Sequence, residues 1–367
     1  MADTNPRLAR LTELGTSIWL DQLHRKLVVG GELARLVEES SLRGVTSNPA
    51  IFEKAIVGND AYDEQVAELA RDGADARSIY QAVAIQDVQG AADVLRGVWD
   101  STGGSDGFVS FEVDPDLAFD TDKTLAQAKE YWARVDRPNL MIKIPGTEEC
   151  LPAITGALAA GINVNVTLLF AVAKYEKVMH AFIAGLEQRL DAGESLDVHS
   201  VASFFVSRVD SEVDKRLREI GGHEDLLGLA GVANARAAYQ AYERVIGGEP
   251  FARLRAAGAA VQRPLWASTG VKDPAYSDVL YVDELAGPET VNTMPLDTLK
   301  AAADHSEATA PRCTIDPTAT LEALAAAGID MDDVTEHLLS DGVAKFVTPM
   351  EDLLAGIESE RVKAVAA

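Results

Sequence analysis

The feature of this sequence that most restricts its fold is the regular alternation of short apolar runs with longer stretches of helical periodicity. We assign eight candidate strands, which are TSIWLD (16–21), GVTSN (44–48), GFVSFEVDP (107–115), LMIKIPG (140–146), INVNVTLLF (162–170), VASFFVSRVD (201–210), LWASTG (265–270) and TVNTMP (290–295). Helical segments lie between them, for example residues 31–40, 121–135 and 150–161. Strands that alternate with helices favour parallel βαβ units over an antiparallel sheet.

The number of strands predicts an α/β protein built as a closed (β/α)8 TIM barrel, with an open, doubly wound sheet as the alternative. The gaps 49–106 and 211–264 are too long for one helix each and predict extra helices. Residues 316–364, rich in alanine and leucine, predict C-terminal helices packed outside the barrel. A barrel with insertions can use this much chain, so we predict one domain over residues 1–367.

Composition excludes several classes of function. The chain carries a formal net charge of −25 and 47% hydrophobic residues, and it lacks the basic run or patch of a nucleic-acid-binding protein. No apolar segment is long enough to cross a bilayer, and no apolar leader precedes the first strand. Two distant cysteines, Cys150 and Cys313, match no metal or redox spacing and suit a reducing compartment. We therefore expect a cytoplasmic protein without nucleic-acid or membrane partners.

One lysine stands out in the fourth candidate strand. In NLMIKIPGT (139–147), Lys143 is flanked by apolar residues, and Pro145 ends the run. A lysine is among the residues least often buried, because burial of a charge is costly unless the charge is paired. The side chain could reach the surface or pair with a carboxylate, and the alternative is that its amine reacts inside the barrel.

Other polar side chains accumulate at the ends of the candidate strands, where a (β/α)8 barrel places its active site. They are Asp21, Thr46, Ser47, Asn48, Glu112, Asp114, Asn163, Asn165, Thr167, Ser203, Ser207, Arg208, Ser268, Thr269, Asn292 and Thr293. Taken singly, some have an ordinary structural explanation. Asp21, Ser47 and Ser268 could cap helices or form turns, Asn163 could be a satisfied core amide, and Arg208 could pair with Asp210. As a set, they are expected to converge on one barrel mouth.

This set suits Schiff-base chemistry. An amine in apolar surroundings carries its charge less readily than one in water, and the free amine can attack a carbonyl group. The resulting iminium accepts the electrons of a neighbouring C–C bond, while carboxylates such as Glu112 move the protons. Neutral amides and hydroxyls would bind a polyhydroxylated substrate. Arg208 with Ser268 would form a phosphate clamp.

Chemistry that depends on a cofactor or a metal has less support. No Walker-type loop and no GxGxxG after a strand is present, which disfavours a nucleotide cofactor. The six histidines form no HxxxH or similar pair, which disfavours a zinc-dependent aldolase. We predict an enzyme without a cofactor and without a metal.

Six motifs together resemble the transaldolase family in sequence and in order. They are GVTSNPAIF (44–52), VSFEVDP (109–115), MIKIPGT (141–147), INVNVTLLF (162–170), SFFVSRVD (203–210) and LWASTGVKDP (265–274). The resemblance extends from about Asp21 to Pro295 and is closest to the long actinobacterial type. It implies a (β/α)8 barrel that transfers a dihydroxyacetone unit between sugar phosphates through a lysine Schiff base, in the non-oxidative pentose phosphate pathway. Sedoheptulose 7-phosphate and fructose 6-phosphate would be donors, and glyceraldehyde 3-phosphate and erythrose 4-phosphate acceptors.

The resemblance also implies roles for particular residues. Lys143 matches the Schiff-base lysine, Glu112 the carboxylate that works with a water, and Asp21 the acid/base of C–C cleavage. The residues that match groups around the dihydroxyacetone unit and the water are Thr46, Asn48, Asn165, Thr167 and Ser203. Arg208 and Ser268 match phosphate ligands. Where shorter members have a second phosphate arginine this chain has Gly270, and we expect Lys272 to supply the charge.

Two alternative functions stay open on the sequence. A related lysine aldolase would release free dihydroxyacetone instead of transferring it. A non-catalytic barrel that binds sugar phosphates is disfavoured because Lys143, Glu112 and Asp21 are all present. Our strand count places Lys143 on strand four, as the resemblance requires. The oligomeric state is not predicted.

Overall fold

The computed structural model describes residues 4–366, and its eight strands form a closed parallel barrel in the order β1 to β8. The strands are β1 (Thr16–Leu20), β2 (Leu42–Thr46), β3 (Phe108–Glu112), β4 (Leu140–Pro145), β5 (Val164–Leu169), β6 (Ser200–Phe205), β7 (Gln262–Ala267) and β8 (Thr290–Met294). Each strand pairs in parallel with the next, and β8 closes the barrel against β1, with Ile18 opposite Asn292. The predicted (β/α)8 fold is confirmed, and the open-sheet alternative is excluded.

Helices connect the strands and cover the barrel. They are α1 (Pro6–Glu13), α2 (Arg25–Val29), α3 (Glu32–Glu39), α4 (Pro49–Ile56), α5 (Asp63–Arg71), α6 (Ala76–Ser101), α7 (Thr121–Val135), α8 (Leu151–Ala159), α9 (Val172–Asp191), α10 (Ser207–Ile220), α11 (Ala230–Gly247), α12 (Glu249–Ala256), α13 (Leu280–Glu284), α14 (Leu296–His305), α15 (Thr318–Ala326) and α16 (Met331–Ala366). Short 3-10 turns occupy Asp60–Tyr62, Pro115–Leu117 and Glu224–Leu226. The extra helices that we predicted for both long gaps are present.

The sixth strand is shorter than the predicted 201–210, because it ends at Phe205 and α10 begins at Ser207. The reason is the spacing of the apolar residues that follow. Val209, Val213 and Leu217 recur at helical intervals and are all buried on one face of α10. Arg208 therefore lies in the first turn of a helix rather than on a strand.

Side chains alternate between the inside of the barrel and its helical coat, as parallel strands require. On β4, Met141 belongs to a hydrophobic cluster with Trp19 inside the barrel, whereas Ile142 and Ile144 join the outer cluster beneath the helices. Lys143 alternates with these two isoleucines and therefore shares the inward direction of Met141. The predicted orientation of this strand is confirmed.

The long helix α16 contributes residues to both hydrophobic clusters, the inner one and the outer one. It packs on α4, α5 and α6, and its Leu338, Val343 and Phe346 belong to the hydrophobic cluster that extends from the barrel interior to α10 and α15. We propose that the chain forms one domain, since its last helix shares buried contacts with its first third. None of the helices described between residues 4 and 366 combines the length and apolarity needed to span a bilayer.

Candidate active site

Lys143 lies inside the carboxyl end of the barrel next to one carboxylate. In the register of β3 with β4, Glu112 stands directly opposite Lys143, so the two inward side chains are neighbours. The Lys143 Nζ atom lies 3.3 Å from Glu112 Oε2 and donates a hydrogen bond of 3.2 Å to the carbonyl oxygen of Ser47. Both ionisable residues are only 4% exposed. The amine therefore does not reach the surface, and it contacts a buried acid.

The carboxyl group of Glu112 lacks the hydrogen bonds that a buried acid usually accepts. Neither of its oxygens accepts a hydrogen bond of normal geometry from any residue between 4 and 366. Burial raises the pKa of Glu112 to about 7, and the nearby Asp21 charge adds to the increase, while Lys143 opposes it. A carboxyl group with this pKa can both give and take a proton near neutral pH.

Asp21 follows β1 and is held by a chain of hydroxyl groups. Its Oδ1 accepts a hydrogen bond of 2.6 Å from Thr46 Oγ1, and Thr46 Oγ1 lies 2.7 Å from Thr293 Oγ1. The backbone amide of Asp21 donates to the carbonyl oxygen of Met294 at 2.8 Å. These contacts with β2 and β8 fix one carboxylate at the rim of the barrel.

A cavity of about 80 Å³ brings together seven of the eleven predicted site residues, whereas Glu112, Asn165, Thr167 and Lys272 do not line it. Its lining consists of Asp21, Thr46, Asn48, Lys143, Ser203, Phe205, Arg208, Ala267, Ser268, Thr293 and Phe346. The ring of Phe346, from α16, covers the amine, with its centroid 5.5 Å from Lys143 Nζ. Side chains from six strands or the turns after them, and from two helices, thus meet around one lysine.

The buried amides and hydroxyls beside Lys143 form an ordered chain. Asn165 stands opposite Lys143 on β5, donates to Ser110 Oγ at 2.9 Å and accepts from Ser203 Oγ at 2.7 Å. The Oγ1 atom of Thr167 is buried without a hydrogen-bond partner among the described residues. Asn48 caps α4 by accepting the amide hydrogen of Ile51 at 3.0 Å, and it also lines the cavity.

Arg208 provides a cation at the outer part of the cavity. Its guanidinium carbon lies 5.0 Å from the centroid of the Phe205 ring, and its Nη1 atom is buried without a hydrogen-bond partner in the described chain. Burial lowers the pKa of Arg208, yet a guanidinium remains charged in proteins. The expected alternative of a pair with Asp210 does not occur. Asp210 instead accepts hydrogen bonds from the Gly231 amide and the Tyr281 hydroxyl.

Ser268 and Lys272 lie beside Arg208. The Ser268 backbone has a φ of +56°, a conformation that few non-glycine residues adopt, and its hydroxyl lies 2.9 Å from that of Ser207. Lys272 and Ser268 both line a second cavity of about 510 Å³, which adjoins the first through Arg208. A Cβ atom placed on Gly270 would lie 3.9 Å from Lys272 Nζ. The lysine amine is thus close to Gly270, although Pro295 and Thr298 would lie nearer to that Cβ atom, at 3.2 and 3.6 Å.

Comparison with known proteins agrees with this site. The family model described as transaldolase/fructose-6-phosphate aldolase matches residues 18–357. The chain belongs to the transaldolase/fructose-6-phosphate aldolase family. It is 53% identical over 361 residues to the transaldolase of Mycolicibacterium paratuberculosis, covering 96% of this chain and 97% of that one. It is also 53% identical over 364 residues to the transaldolase of Mycolicibacterium smegmatis, covering 97% and 98%.

A third relative, transaldolase 1 of Streptomyces coelicolor, is 51% identical over 356 residues, which is 95% of this chain and 93% of that protein. These matches make the chain an enzyme of the transferase class. The transaldolase family match extends to residue 357 and so includes most of α16, beyond the end of the resemblance that the motifs carried at Pro295.

Some polar residues near the strand ends of this transaldolase-family barrel have structural partners instead of facing the cavity. Asn163 donates to the carbonyl oxygens of Pro138 and Leu140, as expected of a satisfied core amide. Asp114 pairs with Arg77 and accepts from the Tyr131 hydroxyl. Within residues 4–366, no cluster of three or more histidine, cysteine, aspartate or glutamate side chains could hold a metal ion.

The sequence analysis missed the contribution of α16. Phe346 covers Lys143, and the second cavity, of about 510 Å³, is lined in part by Leu338, Asp341 and Lys345. Their helical periodicity was visible, but periodicity identifies the buried face of a helix and not the surface that it covers. A lysine and a phenylalanine side by side in an alanine-rich tail carry no signal of their own.

Proposed function

We propose that this chain transfers a dihydroxyacetone unit from a ketose phosphate to an aldose phosphate through a Schiff base on Lys143. Sedoheptulose 7-phosphate or fructose 6-phosphate would be the donor, and glyceraldehyde 3-phosphate or erythrose 4-phosphate the acceptor. The observation that carries the proposal is the buried Lys143 amine 3.3 Å from a carboxyl group whose pKa is raised to about 7. Relatives named transaldolase over nearly the full length support the same activity.

In the proposed reaction the Lys143 amine attacks the C2 carbonyl of the donor and forms a carbinolamine. Protonation of the C2 hydroxyl releases water and leaves an iminium. The hydroxyl of C4 then loses its proton, and the electrons of the C3–C4 bond move to the iminium. An aldose phosphate departs, and a three-carbon enamine stays on Lys143 until an acceptor aldehyde reverses these steps.

Two carboxylates are assigned the proton transfers. Glu112 would take a proton from the lysine and deliver one to the C2 hydroxyl through a water, because its pKa of about 7 suits both directions. Asp21 would accept the proton of the C4 hydroxyl, since Thr46 holds its carboxylate at the edge of the cavity. The separation of the two roles follows from their environments, one fully buried and one at the rim.

We assign the substrate-binding roles by position and chemistry. The residues proposed to bind the dihydroxyacetone unit and the water are Thr46, Asn48, Asn165, Thr167 and Ser203, with Arg208, Ser268 and Lys272 for the phosphate. The neutral groups offer hydrogen bonds without charge, and the unpaired Arg208 Nη1 offers a cation. That local cation is needed because the chain as a whole is acidic, at −25.

The related reaction, release of free dihydroxyacetone, is the competing proposal because the family description covers both activities. The test measures fructose 6-phosphate turnover with and without erythrose 4-phosphate. We expect turnover to require the acceptor and to form sedoheptulose 7-phosphate. Steady release of dihydroxyacetone without acceptor would identify an aldolase and overturn the transferase proposal. Absence of any turnover in both conditions would favour the non-catalytic barrel.

We also propose a place in the non-oxidative pentose phosphate pathway and a cytoplasmic location. The pathway follows from the proposed substrates. For the location, the supporting observation is that Cys150 and Cys313 are both buried free thiols, a state that suits a reducing compartment.

A further inference from the structure

The helix α16 brings a second kind of side chain to the mouth of the barrel besides Phe346. Resting on the proposed function, we propose that Lys345 of α16 is a phosphate ligand, so that the C-terminal helix supplies part of the recognition of phosphorylated substrates. Lys345 lines the same cavity of about 510 Å³ as Arg208, Ser268 and Lys272. Cations from α10, from the segment after β7 and from α16 therefore surround one space.

The position of α16 is fixed by contacts on both sides of Lys345. The adjacent Phe346 is buried over Lys143, and Val343 belongs to the hydrophobic cluster that joins the barrel interior to α10 and α15. Gly342 allows close approach, because a Cβ atom there would lie 3.2 Å from the Leu168 side chain. The backbone at Lys345 is thus anchored to the mouth, and the long flexible side chain alone has to move to meet a ligand.

The present partner of Lys345 is a carboxylate that a phosphate can replace or join. Its Nζ lies 2.5 Å from Asp341 Oδ2, one helical turn earlier, and its side chain is 58% exposed. A pair this exposed contributes little to stability, so its loss costs little. Asp341 also faces the cavity and the charge of Arg208. Lys345 and Arg208, which face the Asp341 carboxylate in the free enzyme, would both contact the phosphate dianion.

The charges that line the cavity of about 510 Å³ favour a further cation besides Arg208 as a phosphate ligand. A phosphate dianion carries two negative charges, and the single charge of Arg208 does not balance them. Glu212, an acid in the same cavity, is already paired with Arg216 at 2.8 Å. Lys272 and Lys345 are the two lysines that line the cavity, and Lys345 becomes available when a phosphate takes the place of Asp341 as its partner.

The test compares Lys345→Ala with a matched variant of the same helix, Lys363→Ala. Lys363 is 67% exposed and pairs with Glu360, but it lies outside the cavity. We measure kcat/KM for fructose 6-phosphate and for fructose, each with erythrose 4-phosphate, and the inhibition constant of inorganic phosphate. Lys345→Ala should lower the ratio of the two kcat/KM values, and raise the inhibition constant, by about five-fold to ten-fold. Lys345→Arg should retain most of both values.

The outcomes separate the alternatives. If Lys345→Ala behaves like Lys363→Ala in both measurements, Lys345 is an ordinary surface lysine and the inference is wrong. If Lys345→Ala lowers kcat/KM equally for fructose and fructose 6-phosphate, it acts on the fold of α16 and not on phosphate, which also contradicts the inference. Failure of the proposed function is distinct, because the unmodified chain would then show no acceptor-dependent transfer.

Discussion

Each end of this barrel buries an acidic side chain, but the two carboxyl groups differ in the hydrogen bonds that they accept. At the floor, Asp106 precedes β3 and is 5% exposed, while at the mouth Glu112 ends β3 and is 4% exposed. Asp106 accepts hydrogen bonds from Ser17 Oγ at 2.5 Å and from Trp19 Nε1 at 3.1 Å, and it lies 3.5 Å from the Arg263 guanidinium. The floor acid therefore accepts hydrogen bonds from two side chains and lies beside a third.

At the mouth, by contrast, the carboxyl group of Glu112 has Lys143 beside it and no hydrogen bond of normal geometry from the described residues. Cavity size does not explain the difference, since the floor opens on a cavity of about 390 Å³ and the mouth on one of about 80 Å³. Two acids that are equally buried but accept different numbers of hydrogen bonds are expected to differ in role, one structural and one reactive. We propose that the floor acid stabilises the barrel and that the mouth keeps its charged groups available for a substrate.

The largest effect expected from this comparison is on turnover. Replacing Glu112 with glutamine keeps the size of the side chain and removes its acid/base function. We expect kcat for transfer from fructose 6-phosphate to erythrose 4-phosphate to fall by about 10²–10⁴-fold, with an unchanged circular dichroism spectrum. Near-normal turnover in Glu112→Gln would remove this carboxyl group from the mechanism.

A second effect concerns pH and stability. The folded-state pKa of Glu112, about 7, lies above the ordinary value of 4.5, so the folded state binds the proton more tightly than the unfolded state. The stability that this adds is fully present below pH 4.5 and is lost as pH rises through 7. The loss should be about 3 kcal/mol.

The measurement is the free energy of unfolding in urea at pH 5 and pH 8, compared between the unmodified chain and Glu112→Gln. The glutamine variant cannot titrate at this position and should lose less stability over that interval. Equal losses in both proteins would mean that Glu112 has an ordinary pKa, which would contradict the contrast between mouth and floor.

The smallest effect on activity is expected at the floor. Asp106→Asn weakens the acceptor shared by Ser17, Trp19 and Arg263, and we expect a loss of about 1–2 kcal/mol in the free energy of unfolding. Turnover of the folded variant should stay within about two-fold, because the substitution lies at the opposite end of the strands. A large drop in kcat at unchanged stability would show that the floor takes part in the reaction.

Much of the mouth could be predicted from sequence because parallel strands are buried on both faces and read as continuous apolar runs. A polar residue inside such a run, like Lys143 or Glu112, is conspicuous, and the period of two gives its direction. Arg208 was placed on a strand in error, since SFFVSRVD continues an apolar run past the point where helical spacing begins at Val209.

The floor and the C-terminal helix could not be predicted in the same way. Asp106 stands before Gly107, where an aspartate in a turn has an ordinary explanation, and its partners Ser17 and Arg263 are distant in the chain. The cover that Phe346 forms over Lys143 depends on how α16 packs across the barrel end. That packing is a long-range contact, and local periodicity does not determine it.

The most direct measurement is chemical trapping of the amine. The enzyme is incubated with fructose 6-phosphate, reduced with borohydride and digested, and the peptides are mapped by mass. We expect one adduct of the size of a reduced dihydroxyacetone unit, on Lys143, loss of activity in proportion to its formation, and no adduct in Lys143→Met. An active enzyme that forms no adduct, or forms it on another lysine, would contradict the assignment of Lys143 as the nucleophile.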